Sequence, residues 1–338
     1  MTRNFLRVLF VLFVFSMAAH AQGVDPLTGR AIIDLPLGGI SAKDLSASVS
    51  LSHQGGALQV SQGPGNAGMG WNISFGGQIT REVRGLPDEL NANGKTGWLY
   101  NGNAASIQGL GATASYSFIS GLGYVKDSEP DIFYFSAPGI SGKFLFGADG
   151  QIKLIPYQDL KITGSPAGTF TIQTNNGLLY TFSVQQSSTR QSVKVIDSGI
   201  IDHYLSAYNN YLTPVTYTSS WHLSSIASQI SNETMSFTYE TGEEETGGEL
   251  FKIIQPNPGV ATTQADSLFS LQEKSSAVWL TQINLKNYSI TIDWASALVN
   301  GITILESESG ENKKYLFEYR NIYIFCLWFF YNYSYTRS

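Results

Sequence analysis

Three glycines near the start of the chain have the spacing of a dinucleotide-binding loop. Gly63, Gly65 and Gly68 match G-x-G-x-x-G, in which a helix that begins at the glycines binds a pyrophosphate. The residues that follow (MGWNISFGGQITREV, 69–83) are glycines and aromatic or β-branched residues that disfavour a helix. We therefore predict a glycine-rich loop between two strands, which places Trp71 in a core, and no cofactor site.

A second phosphate-type pattern is Gly94-Lys95-Thr96, which matches the end of a P-loop. A P-loop also needs a glycine five residues before Gly94, where this chain has Glu89. The surrounding residues, NANGKTG (91–97), are small and polar, as is typical of a turn. We predict a polar turn here and no nucleotide phosphate site.

Hydrolysis by a serine nucleophile or a metal ion would need histidines in suitable positions. The chain has no G-x-S-x-G sequence, and GISGK (139–143) lacks the second glycine at the required spacing. After the N-terminal segment the histidines are His53, His203 and His222, and none has a second histidine at i+2 or i+4. Each is typical of a strand-surface or half-buried residue.

Acidic side chains are the remaining candidates, because a glycoside hydrolase needs two carboxyl groups that meet in space rather than in sequence. Asp88 and Glu89 form one group of acids, and Glu129 and Asp131 form another. Acids in such proline-containing loops commonly serve as turn residues. The sequence spacing alone leaves both interpretations open.

Two arginines, Arg81 and Arg84, precede the first acidic group. They either pair with Asp88 or Glu89 at a strand end or lie on a solvated edge. The acidic run Glu243–Glu245 lacks the ligand spacing of a calcium site, so we interpret it as a solvated loop. We therefore assign no catalytic, cofactor-binding or metal-binding residue, and we expect no cofactor.

The bulk composition limits the partners and the sources of stability. Only 14% of the 338 residues are charged and the net charge is −6, which excludes a nucleic-acid backbone as the main partner. Cys326 is the single cysteine, so neither an intramolecular disulfide nor a cysteine-based zinc site can form. Stability must come from burial and from β-sheet hydrogen bonds.

The first 21 residues are typical of a secretory signal peptide. Arg3 and Arg7 provide a positive start, residues 9–19 are apolar, and Ala19–Ala21 forms an A-x-A cleavage site. The apolar run is shorter than the roughly 20 residues that span a bilayer. We predict cleavage after Ala21, export, and no transmembrane span in the mature chain. An uncleaved anchor is the alternative.

Strand-like segments separated by turn residues fill most of the remaining chain. They alternate polar and apolar residues or are rich in β-branched and aromatic residues, and no long window has helical spacing. Asp149-Gly150 and Asn176-Gly177 are typical of type I′ hairpin turns. We predict an all-β, sandwich-like fold of antiparallel strands and stacked β-hairpins. Four tryptophans are expected in its cores: Trp71, Trp221, Trp279 and Trp294.

Three units of about 20 residues indicate a strand–turn–strand repeat in the second half of the chain. They cover residues 221–240, 279–294 and 301–320, and each begins with large apolar residues and returns as a second strand. The predicted divisions of the chain are a signal peptide (1–21), an N-terminal β domain (22–184), a polar Tyr-rich insertion (185–220), a β-hairpin repeat region (221–320) with a loop at 241–275, and an aberrant or truncated tail (321–338).

Several stretches together resemble the N-terminal region of bacterial Rhs-type (YD-repeat) secreted proteins. The most specific stretch is GMGWNISFGGQITREVRGLPDE (68–89), and four others lie between residues 24 and 182. A further one is 217–240. The family pattern G-x-G-W-x-x-x-x-G-G-x-I-T-R-x-x-x-G-x-P-D is matched at Gly68, Gly70, Trp71, Gly76, Gly77, Ile79, Thr80, Arg81, Gly85, Pro87 and Asp88.

This resemblance implies a β-rich scaffold, often a hollow shell of YD repeats that encloses or displays a C-terminal effector. The sequence contains neither the repeats nor the family's self-cleaving segment, so no catalytic residue of the family transfers to any position. We expect an exported, non-enzymatic structural domain of a surface or toxin-delivery protein, secreted from or held on a bacterial cell. Its expected partner is the rest of the shell or its effector.

Two other functions remain open. An adhesin-like or carbohydrate-binding module would bind a cell-surface glycan or protein through exposed tyrosines, for which Tyr204, Tyr208, Tyr211 and Tyr217 are the candidates. A secreted glycoside hydrolase would instead need a cleft with two carboxyl groups about 5–10 Å apart. Solvent exposure of the tyrosines and the position of the acids distinguish these two functions from a scaffold.

Overall fold

A computed structural model describes residues 22–24, 31–54, 65–92, 95–101, 127, 129–196, 214–253, 267–306, 312–326 and 329–337. Within them the chain is almost entirely strand, with one four-residue helix, α1 (Trp98–Asn101). The strand pairs with a described register are antiparallel, and the strand content confirms the predicted all-β class. The strands are β1 (Gln22–Val24), β2 (Ala31–Ala42), β3 (Leu45–Gln54), β4 (Trp71–Ser74), β5 (Gln78–Glu82), β6 (Asn91–Ala92), β7 (Lys95–Thr96), β8 (Ile132–Ala137), β9 (Ile140–Phe146), β10 (Ile152–Ile155), β11 (Leu160–Gly164), β12 (Phe170–Thr174), β13 (Leu178–Ile196), β14 (Val215–Ser228), β15 (Thr234–Ile253), β16 (Ser267–Leu285), β17 (Tyr288–Ala295), β18 (Leu298–Glu306), β19 (Asn312–Leu316), β20 (Glu318–Cys326) and β21 (Phe329–Arg337).

The chain divides into two compact units. One unit comprises Met1–Phe75 together with Thr281–Ser338, and the other comprises Gly76–Leu280. We call them the terminal unit and the central unit. This division differs from the one expected from sequence, because the last residues of the chain join the first rather than forming a repeat region with residues 221–280.

A rolled sheet forms the central unit. Its strand order is β10-β9-β8-β5-β14-β13, and β12 and then β11 continue it beyond β13. Only residues 156–159 connect β10 to β11, so the two ends of the sheet lie close together. β15 pairs with the last part of β14, and the first part of β16 pairs with the last part of β13.

Aromatic side chains fill the inside of this rolled sheet. Phe133, Phe144, Phe170 and Trp221 are each completely buried, and the ring centroids of Phe133 and Phe144 are 5.0 Å apart, as are those of Phe170 and Trp221. The indole N–H of Trp221 donates to the carbonyl of Gly168 at 2.8 Å. Burial of each such side chain contributes about 1.5–3 kcal/mol to stability, and stacked pairs add about 0.5–1.5 kcal/mol.

The predicted core position is confirmed for Trp221, whereas the other three tryptophans are only half-buried. Trp71 packs against the ring of His53, at 4.7 Å between centroids. Trp294 meets Phe75 edge to face at 5.9 Å. Tryptophan is large enough to cover the margin of a core while part of its ring meets solvent. For this reason the residue type alone did not separate core from margin.

In the terminal unit, β1 to β4 form one sheet, and the end of β16 pairs with β17, followed by β18 and β19. The hydroxyl of Tyr315 on β19 donates to the carbonyl of Leu37 on β2. The predicted turn between β16 and β17 is confirmed, with Lys286 in the left-handed region at φ 53°. Hairpin turns form at Gly150 (φ 70°) and Gly177 (φ 81°) in the central unit, as predicted, but Asp149 and Asn176 do not have positive φ, so the predicted type I′ geometry is wrong.

The glycine-rich segment makes a tight turn and enters a strand. Gly65 and Gly68 donate their amides to each other's carbonyls at 3.0 and 3.1 Å, and β4 begins at Trp71, as predicted. The side chain of Asn66 pairs with the backbone of Ile73 in both directions, accepting its N–H at 2.7 Å and donating to its carbonyl at 3.0 Å. Gly63 lies outside the described residues.

Two predicted divisions differ from the secondary structure. The insertion at 185–220 and the loop at 241–275 contain long parts of β13 to β16. Hydroxyl groups pair across the strands in the polar segments, as in Thr189 with Thr216 at 2.8 Å. Such cross-strand pairs stabilise a sheet without any apolar alternation, and apolar alternation was the signal used for prediction.

Candidate functional site

Two acidic side chains of the central unit pair with one buried arginine. Arg81 lies on β5, and its side chain is fully buried. Its Nε and Nη2 donate to Asp131 Oδ2 at 2.7 and 2.5 Å, and its Nη1 and Nη2 donate to the two oxygens of Glu89 at 2.9 and 2.6 Å. A third acceptor is the carbonyl of Thr218 on β14, at 3.3 Å from Nη1.

Asp131 connects this arginine to the loop that follows β5. Its Oδ1 accepts the backbone N–H of Arg84 at 2.7 Å, and its Oδ2 accepts that of Asp88 at 3.0 Å. Asp88 returns the contact, because its Oδ1 accepts the backbone N–H of Asp131 at 2.9 Å. Each of the two aspartates therefore holds the backbone of the other.

A third aspartate, Asp127, holds the same loop from the other side. Its Oδ2 accepts the N–H of Leu86 at 3.0 Å, and its Oδ1 accepts the N–H of Glu129 at 3.1 Å. Gly85 has φ 86°, and a Cβ there would lie 2.6 Å from Asp127 Oδ1. The glycine is therefore needed both for the left-handed backbone and for the close approach of the carboxylate. We refer to Arg81, Asp88, Glu89, Asp127 and Asp131 as the acid clamp.

Burial controls the protonation of the acid clamp. Burial, and then the charge of Asp131, raises the pKa of Asp88 to about 8, and Asp88 Oδ2 has no hydrogen-bond partner among the described residues. Burial also raises the pKa of Asp131, although Arg81 opposes this shift. Burial alone would lower the pKa of Arg81, but Glu89 and Asp131 raise it above its usual value. Arg81 thus stays charged and Asp88 is mostly protonated at pH 7.

Two aromatic rings contact Arg81, and one of them, Tyr217, also contacts Arg190 on β13 and Glu273 on β16. The Arg81 guanidinium lies 5.4 Å from the ring centroid of Phe133 and 5.5 Å from that of Tyr217. Arg190 is also 5.5 Å from the Tyr217 ring, and both Arg190 Nε and the Tyr217 hydroxyl donate to Glu273 at 2.8 Å. Tyr217 therefore lies between two guanidinium groups, an arrangement favourable to each cation.

The predicted partners of the arginines are only partly as expected. The pair between Arg81 and Glu89 is confirmed, whereas Asp88 contacts backbone instead of either arginine. Arg84 Nε lies 3.6 Å from Oε2 of the exposed Glu129. The sequence interpretation missed Asp131 as the main partner of Arg81, since 50 residues separate them. One available signal was its position directly before the apolar strand β8, where a carboxylate can reach a neighbouring turn.

The acid clamp does not have the geometry of a glycoside hydrolase. Asp88 and Asp131 are both 0% exposed, and three of their four carboxylate oxygens accept backbone N–H groups. A hydrolase needs its two carboxyl groups on opposite sides of a substrate-filled cleft. The arrangement is suited to holding the loop at 84–89 against β8.

The histidines also have structural contacts. His222 Nε2 lies 3.3 Å from Ser220 Oγ, but that hydroxyl donates to Gln186 Oε1 at 2.7 Å. Burial lowers the pKa of His222 to about 4, so it is neutral near pH 7. His53 Nδ1 contacts the carbonyl of Gly70 at 2.9 Å. His203 lies outside the described residues.

Of the tyrosines proposed for sugar stacking, the structure describes only Tyr217, which is 6% exposed. Tyr204, Tyr208 and Tyr211 lie outside the described residues. Among the residues that are described, no group of three His, Cys, Asp or Glu side chains could hold a metal ion. In the same part of the chain no helix is long and apolar enough to cross a membrane.

Comparisons of the chain with protein-family models, with curated proteins and with solved structures find no match. A functional proposal therefore depends on the sequence and on the geometry of the acid clamp.

Proposed function

We propose that this chain is an exported, non-enzymatic structural domain, the N-terminal part of an Rhs/YD-repeat-like shell or of a surface or toxin-delivery protein. The observation on which this depends is the acid clamp, in which buried ionisable side chains bind backbone groups and one another. Enzymes place such groups where a substrate can reach them. Here Asp88 and Asp131 are 0% exposed and Asp127 is 8% exposed.

The residues of the family-like pattern also support a structural role. Arg81, Gly85 and Asp88, which match that pattern, all belong to the acid clamp or contact it directly. They join the loop after β5 to the start of β8, 43 to 50 residues further along the chain. A pattern with this role determines how a scaffold folds and does not indicate a substrate.

A fusion experiment tests the proposal. The complete chain is joined to a tandem array of YD-repeat hairpins, and its resistance to protease and its particle shape by electron microscopy are compared with those of the array alone. We expect a compact, protease-resistant particle only when the chain is present. An array that is equally resistant alone, or a chain that is cleaved away as a separate domain, would contradict a shell-forming role.

An activity screen tests the non-enzymatic part of the proposal. The chain is incubated with a panel of glycosides and polysaccharides, alongside an Asp131→Asn variant. We expect no turnover by either protein. Turnover that disappears in the variant would favour a hydrolase, and retention on a glycan array without turnover would favour a carbohydrate-binding module.

A further inference from the structure

The terminal unit contains a pocket with a volume of about 340 Å³. It lies between β2, at Gly38 and Gly39, and the sheet formed by β17, β18 and β19. Small-molecule sites typically have volumes of about 300–1,000 Å³ and combine apolar walls with a few polar groups. The pocket is therefore large enough for a ligand of amino-acid to dipeptide size.

Glycine allows close packing at the β2 side of this pocket. A Cβ at Gly38 would lie 2.9 Å from Ile304 Cδ1, and one at Gly39 would lie 2.5 Å from the carbonyl oxygen of Ala47. A larger residue would displace Ile304 at the first position and β3 at the second. Ile304, which is 9% exposed, provides an apolar surface on the opposite side.

Side chains of opposite charge line the same pocket. Tyr288 and Glu306 face each other across β17 and β18, and the Tyr288 hydroxyl donates to Glu306 Oε1 at 2.9 Å. Lys313 lies opposite Ile304 across β18 and β19, so it is diagonal to Glu306 on one face of the sheet. Diagonal neighbours have Cβ atoms about 7–8 Å apart, and Lys313 forms no ion pair with any described residue.

We propose that this pocket binds a small zwitterion of amino-acid to dipeptide size. Its ammonium group contacts Glu306 beside the Tyr288 hydroxyl, its carboxylate contacts Lys313, and its apolar side chain packs on Ile304. A cation alone is repelled by the lysine, and an anion alone by the glutamate. An uncharged apolar molecule would desolvate the Lys313 ammonium without pairing it, which is unfavourable.

Calorimetric titration of the full chain with the dipeptide leucylglycine tests this proposal. A ligand of this size is expected to bind with a Kd on the order of a millimolar. N-acetyl-leucylglycine amide retains the apolar side chain but lacks both charges, and we expect no detectable binding. Equal affinity for the two compounds, or no binding of leucylglycine, overturns the proposal.

Variants on β18 and β19 locate the binding site. We expect Glu306→Gln and Lys313→Met each to weaken leucylglycine binding about three- to fivefold, the range for a partly exposed ion pair. Lys314→Met is the matched control, because Lys314 is exposed on the next position of β19 and its side chain points to the other face. Unchanged thermal melting establishes that each variant is folded. A similar loss in Lys314→Met, or no loss in the other two, refutes this site.

Discussion

Asp88 should make the stability of the protein depend on pH in the neutral range, and Asp88→Asn should weaken that dependence. The carboxyl group is 0% exposed, and its pKa is raised by burial and by Asp131 from 3.8 to about 8. Folding therefore favours the protonated acid. Asparagine has a similar shape, is neutral at every pH, and keeps an oxygen that can accept the Asp131 N–H.

The sign and size of the effect follow from the two pKa values. An acid whose pKa is raised in the folded state stabilises folding most below its unfolded pKa. This contribution declines as the pH rises from about 4 to about 8 and is constant above that range. A difference of about 4 units corresponds to about 6 kcal/mol over the whole range, similar to the total stability of many domains. About 1 to 2 kcal/mol of this decline is expected between pH 6.5 and pH 8.

Between pH 6.5 and pH 8 the contribution of Asp88 can be compared with those of the other groups whose pKa is shifted. Lowering of the His222 pKa to about 4 has the opposite effect, but it is complete once the pH exceeds the ordinary value of 6.5. The burial-induced rise at Asp131 has the same sign as that at Asp88, and Asp131 is present in both proteins. The difference between wild type and Asp88→Asn therefore reports the titration of Asp88 together with its coupling to Asp131.

Urea unfolding followed by tryptophan fluorescence measures this difference at half-unit steps from pH 6 to pH 9. We expect the free energy of unfolding of wild type to fall with pH, and that of Asp88→Asn to fall less steeply. The buried amide adds a constant cost of about 1–3 kcal/mol, so the slopes are compared rather than the absolute values. Parallel curves for the two proteins would refute the assignment of a proton to Asp88.

The other predictions concern the remaining parts of the acid clamp. Arg81→Met leaves Asp131 buried without its cation, and we expect a loss of about 3–5 kcal/mol in the free energy of unfolding by urea titration; a loss below 1 kcal/mol would contradict the contacts described. Gly85→Ala places a Cβ 2.6 Å from Asp127 at φ 86°, whereas Gly150 has φ 70° with no atom within 4 Å. We expect Gly150→Ala to cost about 1 kcal/mol from backbone strain alone and Gly85→Ala at least twice as much. Equal melting temperatures for the two alanine variants would show that the carboxylate moves aside.

The β class and the local turns could be predicted because they depend on neighbouring residues. The glycine-containing turns at Gly150 and Gly177 and the apolar segments around Phe133 and Trp221 are visible in short windows of sequence. The strand after Gly68 follows from the same local preferences. These features required no knowledge of which strands pair.

The acid clamp could be predicted only in part, because its contacts are long-range. Glu89 is eight residues from Arg81 and was recognised as a possible partner, whereas Asp131 is 50 residues away. The polar ends of β13 and β14 were missed for a related reason. Ser188 is 1% exposed and bonds to the hydroxyls of Ser219 and Ser275, and these strands come together only in the folded sheet.

The acid clamp has a further consequence for strand register. Burying charges costs several kcal/mol per ion even when they are paired, so stability alone does not explain why Arg81 lies inside an aromatic core. Arg81 is directly opposite Phe133 in the pairing of β5 with β8, and Asp131 is two residues before Phe133. A slip of one residue would turn Arg81 to the other face of the sheet and leave Asp131 buried without a cation. The acid clamp therefore disfavours a one-residue slip between β5 and β8.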